Sequence, residues 1–220
     1  ASGDTAFAQE LLPFLERSIR GAVKYHCDSL GFLTHGDAET WMDAVGPDGP
    51  WSPRGNRAVE VQALWLSQLE ISADIASRLG DMERARQWRD RYTWLRQHYM
   101  SAFLLEDRKP LVDHLNVDGS PDTLQRPNRL LALVYGPKEF FFTAPGVLAH
   151  TVPECVYRYG VASLAQSDVN FHPFHEYPER YPKDAADDPI LVNRLSELVR
   201  QQIQTIIDGR LARRRSIWFG

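Results

Sequence analysis

Cysteine is scarce in this chain: Cys27 and Cys155 are the two among 220 residues. They can make at most one disulfide and no metal-type pair, and reduced thiols in a cytosolic protein are the reading they favour. A basic excess is also missing. Lys and Arg number 25 against 29 Asp and Glu, a formal charge of −4, which excludes a broad basic surface for nucleic acid. No apolar run approaches the roughly 18 residues of a membrane helix. The start, ASGDTAFAQELL, lacks a basic segment followed by an apolar one, so no signal peptide is visible. The expectation is a soluble, cytoplasmic protein with neither nucleic acid nor membrane as partner.

Aromatic residues are what the chain does have. Six Trp, eight Tyr and ten Phe make 11% of it, within an otherwise ordinary 43% hydrophobic and 25% charged composition. That length and composition predict one compact unit. Aromatic-rich clefts suit sugars, whose C–H faces stack on rings. One stretch, THGDAETWMDA at residues 34–44, concentrates three acids, a histidine and a tryptophan. A plain loop spreads carboxylates into water and a core excludes them, so the mixture points to a concave site where acids meet a ligand.

Hydrophobic spacing predicts the helices. Phe7, Leu11, Leu15, Ile19 and Val23 recur every four positions, a helix over 7–26 that Pro13 should kink or whose true start it should mark. A Gly- and Pro-rich loop follows through Pro53. Residues 58–79 are apolar on most sides, which predicts an inner helix closed by Gly80 in a left-handed cap. Asp81 is the expected N-cap of an outer helix reaching Phe103, with Arg84, Arg86 and Arg89 on its solvated face. A short strand at 111–116, a turn at 118–121 and helices at 129–135, 147–159 and 189–207 complete the pattern. In the last helix Leu191, Leu195, Leu198, Ile203 and Ile206 are expected inside. Strands are few, so the class is mainly α. There is no fixed-length repeat, but loop, inner helix and outer helix alternate as in a helical toroid.

The acids carry the candidate chemistry. Acetal hydrolysis needs one carboxyl group as proton donor and a second carboxylate across the bond. Asp43, beside Trp41 and Met42, is the first candidate, because partial burial against apolar groups keeps a carboxyl protonated. Taken by themselves, Asp37, Glu39 and Asp43 are more ordinarily solvated loop acids or helix caps. Arg54 either holds a sugar hydroxyl or forms a surface ion pair. Glu60, on an apolar helix, is either a ligand contact or half of a structural pair with Arg54, Arg57 or Arg126. Arg126 and Asn128 either start a capped helix or face the cavity. His172, His175 and Glu176 lack a third well-spaced ligand, so a polar rim is favoured over zinc. Arg210, Arg213, Arg214 and Arg215 make a basic, frayed terminus.

The runs GFLTHGDAETWMDA, PWSPRGNRAVEVQALW, RPNRLLAL and YGVASLAQSDVNFHPFHEYPERYPKDAA, in that order, resemble the C-terminal amylo-α-1,6-glucosidase domain of glycogen debranching enzymes. The resemblance covers about residues 6–186 and leaves 187–220 divergent. It implies an α/α toroid of six helical hairpins that removes α-1,6-linked glucose from glycogen or a limit dextrin with inversion. Asp43 takes the place of that family's general acid, which reverses the solvated-loop reading above. Trp41, Arg54, Glu60, Trp65, Arg126 and Asn128 match pocket-lining positions, and Asp37 is placed with them as a substrate contact. No metal or organic cofactor is implied, and the partner is an α-glucan.

The chain also departs from that pattern. Asp187-Asp188-Pro189 stands where the family continues into a tryptophan-rich inner helix, and the family's distal catalytic carboxylate has no counterpart. Glu60, Glu176 and Glu179 are the local substitutes. About twelve helices of roughly 11–12 residues plus loops need more chain than this, so a partial toroid is expected, completed by missing segments. The alternatives are a glycan-binding protein without the base and a plain helical scaffold.

Overall fold

A computed structural model describes residues 4–47, 49–104, 111–138, 143–158, 160–168, 171 and 189–213, the last stretch with part of its side chains. The chain gathers into two compact units, residues 1–171 and 172–220.

In the first unit, α1 spans Thr5–Tyr25. The Asp4 carboxylate caps it by accepting the Phe7 N–H at 2.9 Å, so the helix starts eight residues before Pro13 and runs through it. A hairpin of β1 (Val45–Gly46) and β2 (Gly49–Pro50) follows, then β3 (Arg57–Ala58) leads into α2 (Val59–Arg78). Gly80, at φ +83°, reverses the chain, and Asp81 caps α3 (Met82–Phe103) through the Arg84 N–H at 3.1 Å. The predicted boundaries, cap and turn of this helical hairpin are as found.

The core lies along α2, which packs against α1, α3 and α4 (Asn128–Tyr135). Its buried Leu66, Leu69, Ala73 and Ala76 meet Trp88, Leu95, Tyr99 and Phe103 of α3. Each fully buried Leu or Phe of this seam contributes about 1.5–3 kcal/mol. The charged face of α3 is solvated, as its pattern predicts. Leu64 and Ile71, in contrast, leave α2 open to solvent on one side, at 47% and 57% exposure. Gln62 does the work of a strand residue inside this apolar helix. Its amide donates to the Leu33 carbonyl and accepts the Leu33 N–H, both at 2.8 Å, fastening the 27–35 segment to α2.

At the N-terminal end of α2, β3 pairs with β4 (His114–Leu115), and β4 pairs with β5 (Pro121–Asp122), all antiparallel. The unit continues through α4 to α5 (Ala144–Cys155) and the hairpin of β6 (Val156–Tyr157) and β7 (Gly160–Val161). The helix predicted over 147–159 therefore ends at Cys155. Cys27 and Cys155 are both free.

In the second unit α6 covers Pro189–Arg213, past the predicted end at 207 and through Arg210 and Arg213. Leu198 and Ile203, expected inside, are each 52% exposed. Among the described residues no helix is long and apolar enough to cross a membrane.

Candidate active site

The three short strands exist to bring one set of side chains together. Gly55, at φ +55°, sits so close to β4 that a Cβ there would lie 2.5 Å from both the Leu115 carbonyl oxygen and His114 Cδ2. That approach drives Arg54 into the interior at 0% exposure. Glu60 enters from the first turn of α2, Asp113 from the residue before β4, Arg126 from the residues preceding α4, and Asn128 from its first residue.

At the centre of the resulting arrangement two guanidiniums meet two buried carboxylates, with the part-exposed Asp122 at the edge, 3.9 Å from Arg126 Nη1. Arg54 Nη1 and Nη2 reach the two Glu60 oxygens at 3.0 and 2.8 Å, a bidentate fork, and its Nε lies 2.9 Å from Asp113 Oδ2. Arg126 Nη1 donates to the same Asp113 oxygen at 3.1 Å, and Asn128 Nδ2 donates to Glu60 Oε1 at 2.7 Å. His114 Nδ1 donates to Asp113 Oδ2 at 2.9 Å, since an ionised carboxylate only accepts. All of these side chains are at most 3% exposed. Burial works against charge on Asp113, yet the His114 hydrogen bond and the Arg54 and Arg126 guanidiniums outweigh it and hold the carboxyl below its usual range. Burial likewise opposes the Arg54 charge, and Asp113 and Glu60 overcome it, so its pKa is raised. Among the described residues, Asp113 Oδ1, Asn128 Oδ1, Arg126 Nε and, apart from its ion-pair contact with Asp113, Arg54 Nε find no hydrogen-bond partner.

Above this quartet lies the THGDAETWMDA segment. Met42 is its anchor, 6% exposed, with Sδ 3.5 Å from Arg54 Nη1. The Asp37 carbonyl accepts the Arg54 N–H at 3.3 Å, while the Asp37 side chain is exposed. His35 ties the start of the segment to α2. Its Nε2 accepts the Ala58 N–H at 2.8 Å, so Nδ1 carries the proton and donates to the Gly36 carbonyl at 2.9 Å. Burial, the larger influence, lowers the His35 pKa. Trp41, 54% exposed, and Asp43 stand in solvent on either side of Met42, so Asp43 lacks the partial burial expected of it. The β1–β2 hairpin then folds onto Trp51, whose ring leaves no space for a Cβ at Gly46.

A profile of the amylo-alpha-1,6-glucosidase family matches residues 5–187. The chain belongs to the amylo-alpha-1,6-glucosidase family. A GH78 family rhamnosidase of Bacillus sp. GL1 has a similar fold at a TM-score of 0.52 and 18% identity, over 73% of this chain and 16% of the rhamnosidase chain. The chain thus spans about a sixth of that enzyme's length. No curated protein matches. The mainly helical architecture, the family and the neighbour together assign the α/α-toroid glycosidase fold.

Of the residues that the resemblance placed in a pocket, the structure brings Arg54, Glu60, Arg126 and Asn128 together, as partners of one another beneath the Trp41–Asp43 segment. Of the two readings open for Glu60, the pair with Arg54 is the one seen. Arg57 instead holds Asp28, Nε to Oδ2 at 2.7 Å. Trp65 is apart from them, a core residue at 3% exposure whose indole N–H donates to the Gly31 carbonyl at 3.2 Å. Asp113 is the member of the site that spacing missed. Its signal is an acid inside the apolar run LVDHL, which demands a buried cation. His172, His175, Glu176 and Glu179 lie outside the described residues.

Proposed function

We propose that this chain is the proton-donating part of a glycoside hydrolase that removes α-1,6-linked glucose at branch points of glycogen or a limit dextrin. Once a bound glucan shuts water away from it and so favours its neutral form, Asp43 gives its proton to the leaving glycosidic oxygen, Trp41 stacks on the sugar, and a second carboxylate activates water in an inverting reaction, about 6.5–9.5 Å from the first. The observation that carries this reading is the pinning of Met42. Its sulfur rests on a guanidinium itself held by Glu60 and Asp113, so the flanking Trp41 and Asp43 are presented to a ligand from a fixed base. Family membership over residues 5–187 supports the substrate class. In this scheme Arg54, Glu60, Asp113, Arg126 and Asn128 position the segment rather than touch the sugar.

One observation favours a second reading, a glycan-binding chain without hydrolysis. Glu60 is the described substitute for the base, and both of its oxygens are consumed by Arg54, with Asn128 also on one of them. A carboxylate clamped in this way is a poor base. Incubation with a branched limit dextrin, with released glucose as readout, separates the two. Glucose release abolished by Asp43→Asn supports hydrolysis; glucan binding that needs Trp41, with no glucose from the pure chain, supports the second reading.

A further inference from the structure

Trp65 and Trp94 line a cleft that shares no lining residue with the Trp41–Asp43 segment or the buried quartet. It opens between the end of α1, the turn that follows it and the seam of α2 with α3. Its volume is about 310 Å³, at the small end of the ~300–1,000 Å³ range of ligand clefts.

Its floor is apolar and rigid. The Trp65 indole, 3% exposed and with its one donor committed to the Gly31 carbonyl, closes that floor beside Leu95 at 1% exposure. At the rim Trp94 is 51% exposed yet held in place. The His98 ring lies 4.4 Å from its centroid, and its edge is so close to Gly31 that a Cβ there would be 3.4 Å from Trp94 Cδ1. A positioned indole facing solvent is ready for a stacking partner.

The polar groups beside it narrow the choice of partner. Asp90 and Arg91 are consecutive on α3, both line the cleft, and neither makes a hydrogen bond or ion pair among the described residues. Asp28, the third charged lining residue, is held by Arg57 Nε at 2.7 Å, and the remaining carboxylate and guanidinium together oppose a ligand of either net charge. A neutral polyhydroxylated ring suits both, because its hydroxyls donate to the carboxylate and accept from the guanidinium while its C–H face covers the indole. We propose that this cleft is a second carbohydrate site, taking a neutral pyranose of an α-glucan chain away from the end that reacts at Asp43. The choice of α-glucan rests on the function proposed above.

The test labels the chain with 5-fluorotryptophan and follows its ¹⁹F resonances during a maltotriose titration, with Trp94 and Trp41 assigned from Trp94→Phe and Trp41→Phe. The Trp94 signal is expected to shift saturably, with the same midpoint in the Trp41→Phe chain. Arg91→Ala, at an exposed position, should weaken that midpoint about tenfold, the equivalent of one charge-assisted hydrogen bond. A Trp41 signal that moves while Trp94 stays still overturns the second site and leaves the proposed function standing. A Trp94 signal that moves alone supports the second site and counts against the reacting end. No movement of either at high maltotriose overturns both, and an unchanged midpoint in Arg91→Ala overturns the second site.

Discussion

Asp113→Ala puts the buried quartet to its hardest test. Asp113 Oδ2 receives His114 Nδ1 at 2.9 Å and Arg126 Nη1 at 3.1 Å, and faces Arg54 Nε at 2.9 Å, with no solvent access at the carboxylate. Removing it leaves two guanidiniums that are 0% and 3% exposed, with Glu60 on Arg54 and only the part-exposed Asp122, 3.9 Å from Arg126 Nη1, to balance them. Breaking a buried pair in this way costs about 3–5 kcal/mol, against about 0–1 for an exposed pair. Total stabilities of about 5–15 kcal/mol make that a large fraction. For a chain of this size it lowers the melting temperature by about 6–20 °C. Urea unfolding of the wild type and the variant, fitted with a common slope, reads the difference directly. A loss under about 1 kcal/mol would refute the reasoning, because it would mean that water reaches the guanidiniums and that Met42 rests on nothing fixed. Asp113→Asn separates charge from shape. It keeps an acceptor for one donor but not the negative charge, so it should lose nearly as much.

Two further outcomes follow from the same region. His35 must be neutral for Nε2 to accept the Ala58 N–H, and its pKa is lowered in the fold, so the unfolded chain binds the proton more readily. Its stabilising contribution is therefore complete above the unfolded value of about 6.5 and is lost as pH falls toward the lower folded value. Urea midpoints from pH 7.5 to 5 should drop in the wild type and flatten over that window in His35→Gln; parallel curves would remove His35 as the cause. Gly55→Ala should cost at least the ~1–3 kcal/mol of a strained left-handed residue, with backbone collision added. Its Cβ would lie 2.5 Å from the Leu115 carbonyl oxygen, so a thermal midpoint equal to wild type would contradict the geometry.

Much of the helical frame was legible in the chain. The α2–α3 hairpin is written in local terms, a 3–4 apolar spacing, an Asp81 cap and a left-handed Gly80, and local chemistry needs no distant partner to act. The site was legible as a set of residues but not as a set of roles. Arg54 and Glu60 are six residues apart and stood out, whereas Asp113 arrives from more than fifty residues later through a pair of two-residue strands too short to leave a periodic signal. Trp65 and Trp41 look alike in sequence, as aromatics beside the motif. Their separation, one under the α2–α3 seam and one in solvent, depends on which side of a helix faces which neighbour.

By itself, then, the sequence determined the α2–α3 hairpin with its Asp81 cap and Gly80 turn, and the family to which the chain belongs, because these rest on spacing and on residues near one another. Tertiary structure alone decided that four charged side chains cancel one another out of reach of water while Asp43 stays in it. Burial and charge pairing are properties of the packed chain, set by residues that the backbone brings together from distant parts of it.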